Sequence, residues 1–412
     1  MNEKQIEKIF LDNSRVRWGG SKEELACAKY LQDELQKMGV DSWLESFETD
    51  HADIIKAKLT LLDPEVKEIP CTAYLMSANT LETGLEKELF YLRKNDSYAL
   101  SCVKDKIVLL EGYIGKWTYQ DLLEHGAAGF ITCGYDAHDE NHDVEQRELR
   151  SYVSEGKLLC GVHINIKDGI EIIKKGTTKV RIETYQEYGK ADSHNLIADI
   201  PGKSDKKIIF TAHYDTVDKS YGIYDNLSGA VGLLALVEKF KDCQPNHGLR
   251  FIWCGSEERG LLGSKAYCQA HEAELADALF VINLDMIGSI MGYMLACCTS
   301  EDKLVHYLEY FALEYGSELK AYQDVYSSDS TPFADKGVPA VSFCRWANSA
   351  SAKIHCKYDT IEQMSLSQMV ADIDFIYAFT KRMVEAKVFP VKKEIPDNIK
   401  EKLDEYLFRK RK

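Results

Sequence analysis

The chain has 412 residues, of which 45% are hydrophobic and 10% aromatic, and its formal net charge is -15 at pH 7. This length and composition predict an ordered globular protein of about two domains and exclude a largely disordered chain. The acidic balance argues against a nucleic-acid partner, and the lack of an apolar run of about 18 residues argues against a membrane span.

The cysteines and the first residues bear on the cellular compartment. Twelve cysteines are scattered without CxxC spacing, which is typical of reduced thiols rather than of a disulfide framework. Residues 1–13 are charged and lack the apolar core of a secretory signal peptide. We therefore expect a cytoplasmic protein, and we leave a homo-oligomer open.

The predicted elements begin with a helix followed by a strand. Residues 21–39 show apolar side chains in helical spacing, with Ser21 as the cap, Glu24 three positions later and a closing glycine. The alternating run at 40–49 predicts a strand. The chain therefore opens with an α-then-β unit.

Residues 55–185 have a different sequence pattern, which predicts a β-rich insert. Short β-type runs alternate there with polar and acidic loops. Within this stretch, residues 104–133 follow the pattern of strand, loop, helix and a GAAG turn into another strand. That pattern resembles the protease-associated domain.

Beyond residue 190 the chain alternates strictly between strands and helices. The spacing predicts helices at 226–241, 261–275, 302–315 and 366–387, separated by strands that are apolar throughout. Such strands belong in a sheet covered by helices on both faces. We therefore predict an α/β fold with a mixed, mostly parallel sheet, whose ligand lies beyond the carboxyl ends of the strands.

Residues with metal-ligand chemistry follow two of these apolar strands. His213 ends the run IIFTA, and Asp215 is placed to accept a hydrogen bond from the imidazole nitrogen that faces away from a metal. Asp285 ends the run ALFVINL, where a carboxylate is costly unless it is paired or coordinated. The HxD pair at a strand end favours a ligand over a structural histidine.

Further carboxylates and a second histidine complete the set. Asp225 precedes a helix, so it is either the helix cap or a carboxylate that bridges two cations, which we favour. Glu257 and Glu258 are adjacent and point to different sides, so that one can bind a metal while the other faces its water. His355 lies on a loop that we expect Asp359 to lock.

The combined set of two histidines and several carboxylates suits a borderline cation such as zinc that also holds a reactive water. The sequence contains no HExxH zinc helix, no GxGxxG or Walker loop and no GxSxG elbow. The usual sequence arguments for a dinucleotide, nucleotide or serine-hydrolase site are therefore missing.

With these stretches, and with HNLIADIPG at 194–202 and TPFADKGVPAVSF at 331–343, the chain resembles the co-catalytic di-zinc aminopeptidases. It is similar to the bacterial leucyl-aminopeptidase-like enzymes that carry a protease-associated insert. The resemblance implies a zinc-exopeptidase (phosphorylase/hydrolase-like) fold. It also implies a peptidase domain made of residues 1–54 and 186–412, with a protease-associated-like insert at 55–185.

The resemblance also implies two Zn²⁺ ions per chain, with Co²⁺ or Mn²⁺ as alternatives. The implied ligands are His213 and Asp285 for one ion, Glu258 and His355 for the other, and Asp225 shared between them. Glu257 would be the general base, and Asp215 would orient His213. The family often has a histidine where this chain has Ser330, which leaves the role of that position open.

The implied activity is release of the amino-terminal residue from peptides or amino-acid amides. Tyr326 is a candidate donor to the oxyanion. We expect Arg345 and Trp346 to face the pocket, with Arg345 binding a substrate carboxylate, so that short peptides or N-acyl amino acids are preferred. The alternatives are a carboxypeptidase, an N-acyl amino acid deacylase, a glutaminyl-cyclase-like acyltransferase, a non-catalytic binding protein, or an insert that acts as the main interaction module.

Overall fold

The structure, a computed structural model, describes residues 1–135, 137 and 141–411. The chain divides into two compact units, a larger unit of Met1–Thr49 with Asp192–Lys412 and an insert unit of Asp50–Ala191. Within the described residues, every helix is too short or too polar to cross a membrane.

The helices are α1 Glu3–Asn13, α2 Lys22–Lys37, α3 Ser97–Ser101, α4 Lys116–Glu124, α5 Ser151–Ser154, α6 Ile166–Lys175, α7 Ser228–Phe240, α8 Leu262–Ala270, α9 Asp302–Tyr315, α10 Ser330–Asp335, α11 Leu366–Glu385 and α12 Asp397–Tyr406. The strands are β1 Ser42–Leu61, β2 Lys67–Ile69, β3 Cys71–Ala73, β4 Leu85–Tyr91, β5 Ile107–Glu111, β6 Gly129–Gly134, β7 Cys160–Asn165, β8 Lys179–Ile200, β9 Ser204–His213, β10 His247–Cys254, β11 Ala278–Leu284, β12 Tyr293–Cys298, β13 Leu319–Gln323 and β14 Ala340–Trp346.

The sheet of the larger unit is mixed and mostly parallel. Its strand order is β13-β12-β14-β11-β9-β10-β8. Strand β9 pairs in parallel with β10 and β11, and β11 pairs in parallel with β14. The antiparallel pairs are β12 with β14 and β10 with the end of β8. The predicted fold class is confirmed.

Helices cover both faces of this sheet, and the side chains of β9 show why its strands are apolar throughout. Phe210 and Ala212 point into the core formed with α1, α2, α7, α9 and α11. Their neighbour Ile209 points to the opposite face, into a core shared with Tyr267 of α8 and Phe333 of α10. Because successive strand residues alternate between faces, burial on both sides requires an uninterrupted apolar run.

The predicted helices are present, and α8 alone differs from its predicted limits by more than two residues. The helix predicted over 302–315 has those limits, and the one predicted at 21–39 runs over Lys22–Lys37 with its Ser21 cap in place. Helix α8 stops at Ala270 instead of reaching residue 275, because His271 leaves the helical conformation and pairs with Glu45 and Glu274.

The insert unit contains four parallel strands. Strands β4, β5, β6 and β7 lie side by side in parallel, with α4 between β5 and β6 in the chain. The strand–helix–strand pattern predicted over 104–133 is therefore present. The unit is less purely β than the sequence pattern predicted, because it also carries α3 to α6.

Candidate metal centre

The predicted site residues converge because three neighbouring strands end at one edge of the sheet. His213 is the last residue of β9, and β10 and β11 pair with β9 in parallel on its two sides. Glu257 and Glu258 follow the end of β10, and Asp285 directly follows β11. Parallel neighbours present their carboxyl ends together, so residues far apart in sequence meet there.

His213, Asp225 and Asp285 form the first group of possible ligand atoms. The Nε2 atom of His213 lies 3.2 Å from Oδ1 of Asp225 and 3.6 Å from Oδ1 of Asp285. The ligand atoms of the three residues are all within 4.8 Å of one another, and the residues are buried.

His355, Asp225 and Glu258 form the second group. The Nε2 atom of His355 lies 3.0 Å from Oδ2 of Asp225 and 3.1 Å from Oε1 of Glu258. Asp225 therefore contributes one carboxylate oxygen to each group, as a carboxylate between two cations does. Ligand atoms at about 2.0–2.1 Å from a tetrahedral Zn²⁺ lie roughly 3.3 Å apart, which is close to the spacing in both groups.

The buried carboxylates themselves indicate that cations belong here. Oδ1 of Asp285 is buried and makes no hydrogen bond to any described residue, an arrangement that is costly unless a cation compensates the charge. The donor set of two imidazoles and three carboxylates also matches the ligands that zinc and related divalent ions prefer. The residues present therefore fit a divalent metal centre.

Asp215 connects the first strand end to the second. Its Oδ1 lies 3.4 Å from Nδ1 of His213, and Nδ1 makes no hydrogen bond to any described residue, so the orienting role of Asp215 stays a prediction. Its two oxygens also accept the backbone N–H groups of Glu257 and Glu258, at 2.9 and 3.1 Å. The second contact was not predictable from the HxD pattern, and it holds the turn that carries both glutamates.

Asp359 holds the backbone of Asp225 in a similar way. Its oxygens accept the N–H groups of Tyr224 and Asp225 at 2.7 and 3.0 Å. Burial, together with the charge of Asp225, raises the pKa of the Asp359 carboxyl to about 7. Asp359 lies four residues after His355 in the chain, so it connects the loop that carries His355 to the backbone of Asp225.

Asn226 is a site residue that the sequence did not single out. Its Nδ2 donates to the carbonyl of Leu284 at 3.0 Å, and its Oδ1 accepts the N–H of Met286 at 3.0 Å. These two residues flank Asp285, so Asn226 connects the segment that carries Asp225 to the segment that carries Asp285. Only its position directly after Asp225 offered a signal.

Glu257 lies beside both groups without joining either. Its Oε2 is 3.9 Å from Nε2 of His213. Burial raises the pKa of its carboxyl well above the ordinary range, and of the nearby charges His213 lowers it while Glu258 raises it further. A carboxyl with a raised pKa is a candidate for a group that takes up a proton and releases it again.

The centre opens to solvent on the side of His355. The His355 side chain is 34% exposed, whereas that of His213 is 2% exposed. Trp346, at the end of β14, is also exposed and pairs with Tyr293 of β12 across the sheet. Tyr326 is half-buried, and burial raises the pKa of its phenol well above the ordinary range, so the phenol stays protonated.

Arg345 has a different partner from the one predicted. Its guanidinium forms a bidentate pair with Asp372 of α11, with contacts of 2.8 Å from Nε and 2.6 Å from Nη2. Its Nη1 donates to the carbonyl of Gly292 at 3.1 Å. The guanidinium is thus engaged within the protein, and the predicted role in binding a substrate carboxylate is corrected to one of holding α11 against β14.

We expect Arg345→Ala to lower the free energy of unfolding by about 3–5 kcal/mol, because it leaves the buried Asp372 carboxylate without its charged partner. Urea denaturation measures this loss. The control is Arg382→Ala on α11, the helix that carries Asp372, since Arg382 pairs with Glu314 in solvent, and there we expect less than about 1 kcal/mol. A shift in preference between free-acid and amidated peptides, without loss of stability, would restore the original prediction.

Ser330, which stands where the family often has a histidine, takes part in a buried hydrogen bond. Its hydroxyl lies 2.8 Å from that of Ser342 in β14. The preceding residue, Asp329, accepts a hydrogen bond of 2.6 Å from Ser264 of α8. This position therefore joins structural elements, and none of the five grouped ligands is lost by the replacement.

Comparison with known proteins agrees with this geometry. Residues 195–380 match the model described as Peptidase family M28. These residues belong to peptidase family M28. The matched range contains all five residues of the two donor groups, so the candidate metal centre lies wholly inside the M28 region. The insert unit lies before it, and its likeness to a protease-associated domain stays a prediction.

Three curated relatives show how far the similarity extends along the chain. Leupeptin-inactivating enzyme 1 of Streptomyces exfoliatus is 37% identical over 165 residues, which are 38% of this chain and 37% of that protein. Aminopeptidase YwaD of Bacillus subtilis (strain 168) is 24% identical over 395 residues, which are 92% of this chain and 84% of that protein. Probable leucine aminopeptidase 2 of Trichophyton verrucosum is matched over 24% of its length. The chain thus spans well under half of some of these relatives.

Solved structures of similar fold extend over nearly the whole chain. The zinc aminopeptidase BSAP from Bacillus subtilis has a TM-score of 0.78 at 22% identity, and the match covers 97% of this chain and 98% of that one. The aminopeptidase from Aneurinibacillus sp. strain AM-1 has a TM-score of 0.74 at 21% identity, with coverage of 95% and 96%. These likenesses establish the fold of the chain.

Proposed function

We propose that this M28 peptidase is a metal-dependent aminopeptidase that hydrolyses the amino-terminal peptide bond of peptides or amino-acid amides. The observation that carries the proposal is the position of Asp225, which places one oxygen in each donor group. Glu257 lies beside His213 and belongs to neither group. The aminopeptidase names of several relatives support the choice of reaction.

The proposed cofactors are two Zn²⁺ ions per chain, with Co²⁺ or Mn²⁺ as alternatives. His213 and Asp285 would hold one ion, Glu258 and His355 the other, and Asp225 both. When bound, such ions lower the pKa of a water molecule and polarise the scissile carbonyl. The zinc named for BSAP supports this choice of metal.

Glu257 is the proposed general base. Its buried carboxyl, with its raised pKa, would take the proton of the attacking water and pass it to the leaving amine. Asp215 would keep His213 in one orientation and the Glu257 backbone in place. Tyr326 would donate its phenol proton in a hydrogen bond to the developing oxyanion.

The entrance and the domain roles are also part of the proposal. Trp346, exposed at the end of β14, would border the entrance on the open side of the centre. Residues 1–54 and 186–412 would form the peptidase domain, and residues 55–185 the protease-associated-like insert. The cytoplasmic location and the oligomeric state stay predictions from the sequence.

Metal content and chelation test the proposed function. Elemental analysis of the purified protein should find about two zinc ions per chain, and a chelator should abolish peptide hydrolysis until zinc is restored. Peptides with a free amino end should lose their first residue, whereas N-acetylated copies should stay intact.

Other outcomes would identify a different activity. Cleavage of the N-acetylated copies alone would indicate a deacylase, and release of the last residue would indicate a carboxypeptidase. Normal zinc content without turnover of any peptide would indicate a binding protein. Each of these results would overturn the aminopeptidase proposal.

A further inference from the structure

The segment Arg17–Glu24, which we call the N-terminal brace, lies against both turns that carry the metal centre. The buried Arg17 side chain holds the loop between His213 and Asp225. Its guanidinium donates to three carbonyls of that loop, those of Tyr214, Tyr221 and Gly222, at 2.6, 2.7 and 2.9 Å. Arg17, at one end of the brace, is therefore hydrogen-bonded along the loop between His213 and Asp225.

The other end of the brace holds the turn before the proposed base. The sequence pattern predicts that Glu24 and Ser21 form a capping box, and Ser21 does accept the N–H of Glu24 at 3.1 Å. The Glu24 carboxylate, however, accepts the backbone N–H of Ser256 at 2.8 Å and that of Gly20 at 2.7 Å. It also accepts the hydroxyl of Ser193 at 2.9 Å.

The residue that Glu24 holds has an unusual backbone. Ser256 has φ +52°, in the left-handed region that residues other than glycine rarely adopt. Such a conformation persists only where the surroundings impose it. Ser256 directly precedes Glu257, so its conformation sets the direction in which the Glu257 backbone leaves strand β10.

The brace is tightly packed against the turn at Ser256. A Cβ on Gly19 of the brace would lie 2.3 Å from Oγ of Ser256 and 2.9 Å from Cδ of Arg259. Arg259 in turn donates to the carbonyl of Gly19 at 3.1 Å. Gly19 is therefore required for the close approach, and the brace and the turn fit together as one buried contact.

We propose that Glu24 is a positioning residue for the proposed base Glu257, acting through the strained Ser256. Asp215 fixes the Glu257 N–H from one side, and Glu24 fixes the preceding N–H from the other. The role of Glu257 rests on the proposed function, whereas the contact of Glu24 with the turn does not. Each of the two Glu24 oxygens accepts a backbone N–H, Oε1 from Ser256 and Oε2 from Gly20, so both oxygens must act as acceptors.

The variant Glu24→Gln tests this proposal with little change of shape. One oxygen becomes an NH₂ group, which must then face a backbone N–H or the Ser193 hydroxyl proton. The matched control is Glu23→Gln, which makes the same change of charge one residue earlier, where the side chain is exposed in the first turn of α2.

Two readouts separate positioning from general stability. Hydrogen exchange of the metal-free protein should be faster by about tenfold in Glu24→Gln for the peptide covering 255–260, with the rest of the chain unchanged. In the zinc-loaded protein, kcat should fall by about tenfold or more while KM stays within about twofold, since only the base is displaced. Glu23→Gln should match the natural protein in both. Unchanged exchange at 255–260, or faster exchange everywhere, would overturn the proposal.

A double variant completes the test. In a Glu257→Gln background, Glu24→Gln should lower the remaining rate by less than about twofold, because the group it positions is already gone. An equal loss in both backgrounds would overturn the proposal. If Glu24→Gln does not fold, Ser193→Ala must show the same local increase in exchange, and its absence would count against the role. If the loaded protein has no aminopeptidase activity, the proposed function fails, and the exchange experiment still decides on the brace.

Discussion

Glu257→Gln should lower kcat by roughly 10²–10⁴-fold while the protein keeps its zinc. The substitution removes a proton acceptor but leaves the donor groups of His213, Asp225, Asp285, Glu258 and His355 unchanged. The side chain keeps its size in a buried position, so the fold should also be retained. Steady-state kinetics together with elemental analysis measure both parts of this result.

The adjacent glutamate provides the matched control. Glu258→Gln makes the same chemical change one residue later, but Glu258 belongs to the second donor group. It should therefore lower zinc content as well as turnover, since each ion has few protein ligands to spare. The roles that we assign to the two residues are wrong if Glu257→Gln stays active, or if Glu258→Gln binds zinc as tightly as the natural protein.

Asp225→Asn should have the largest effect on metal binding. An amide has one oxygen and no charge, so it cannot serve both donor groups as the carboxylate does through Oδ1 and Oδ2. We expect zinc content to fall from about two ions per chain to one or fewer, and peptidase activity to fall to background. Metal analysis after dialysis against a weak chelator measures the loss.

Two further variants make the test specific for a shared ligand. His355→Ala removes a ligand of the second group alone, so the first ion should be retained better than in Asp225→Asn. Asp242→Asn changes an exposed aspartate just after α7 and should leave zinc content unchanged. Equal zinc content in Asp225→Asn and His355→Ala would show that Asp225 does not bridge.

The sequence predicted the strand-end residues well because their signals are local. His213 ends β9 and Asp285 follows β11, and an apolar run that stops at a charged residue can be recognised from consecutive positions alone. The rule that parallel strands present their carboxyl ends together then predicts that such residues meet. The same reasoning correctly predicted the sheet and the helices that cover it.

The sequence did not predict the partners of two charged side chains. The position of Arg345 after an apolar strand indicated a residue facing the pocket, yet its guanidinium pairs with Asp372 of α11. The predicted Ser21 cap accepts the N–H of Glu24, but the sequence did not indicate that the Glu24 carboxylate holds Ser256, 232 residues later in the chain. Propensity and periodicity depend on neighbours in sequence, whereas these contacts depend on which elements pack together.

The sequence by itself thus determined the α/β class, the strand ends and the residue types suited to a divalent cation. Only the tertiary structure decided that Asp225 gives one oxygen to each donor group, and that Asp215, Asp359 and Glu24 hold the surrounding backbone. The physical reason is the separation along the chain over which each kind of interaction acts. Hydrophobic alternation and helix capping depend on residues a few positions apart. A buried carboxylate instead accepts hydrogen bonds from any donor that the fold brings within about 3 Å, however far apart the two are in sequence.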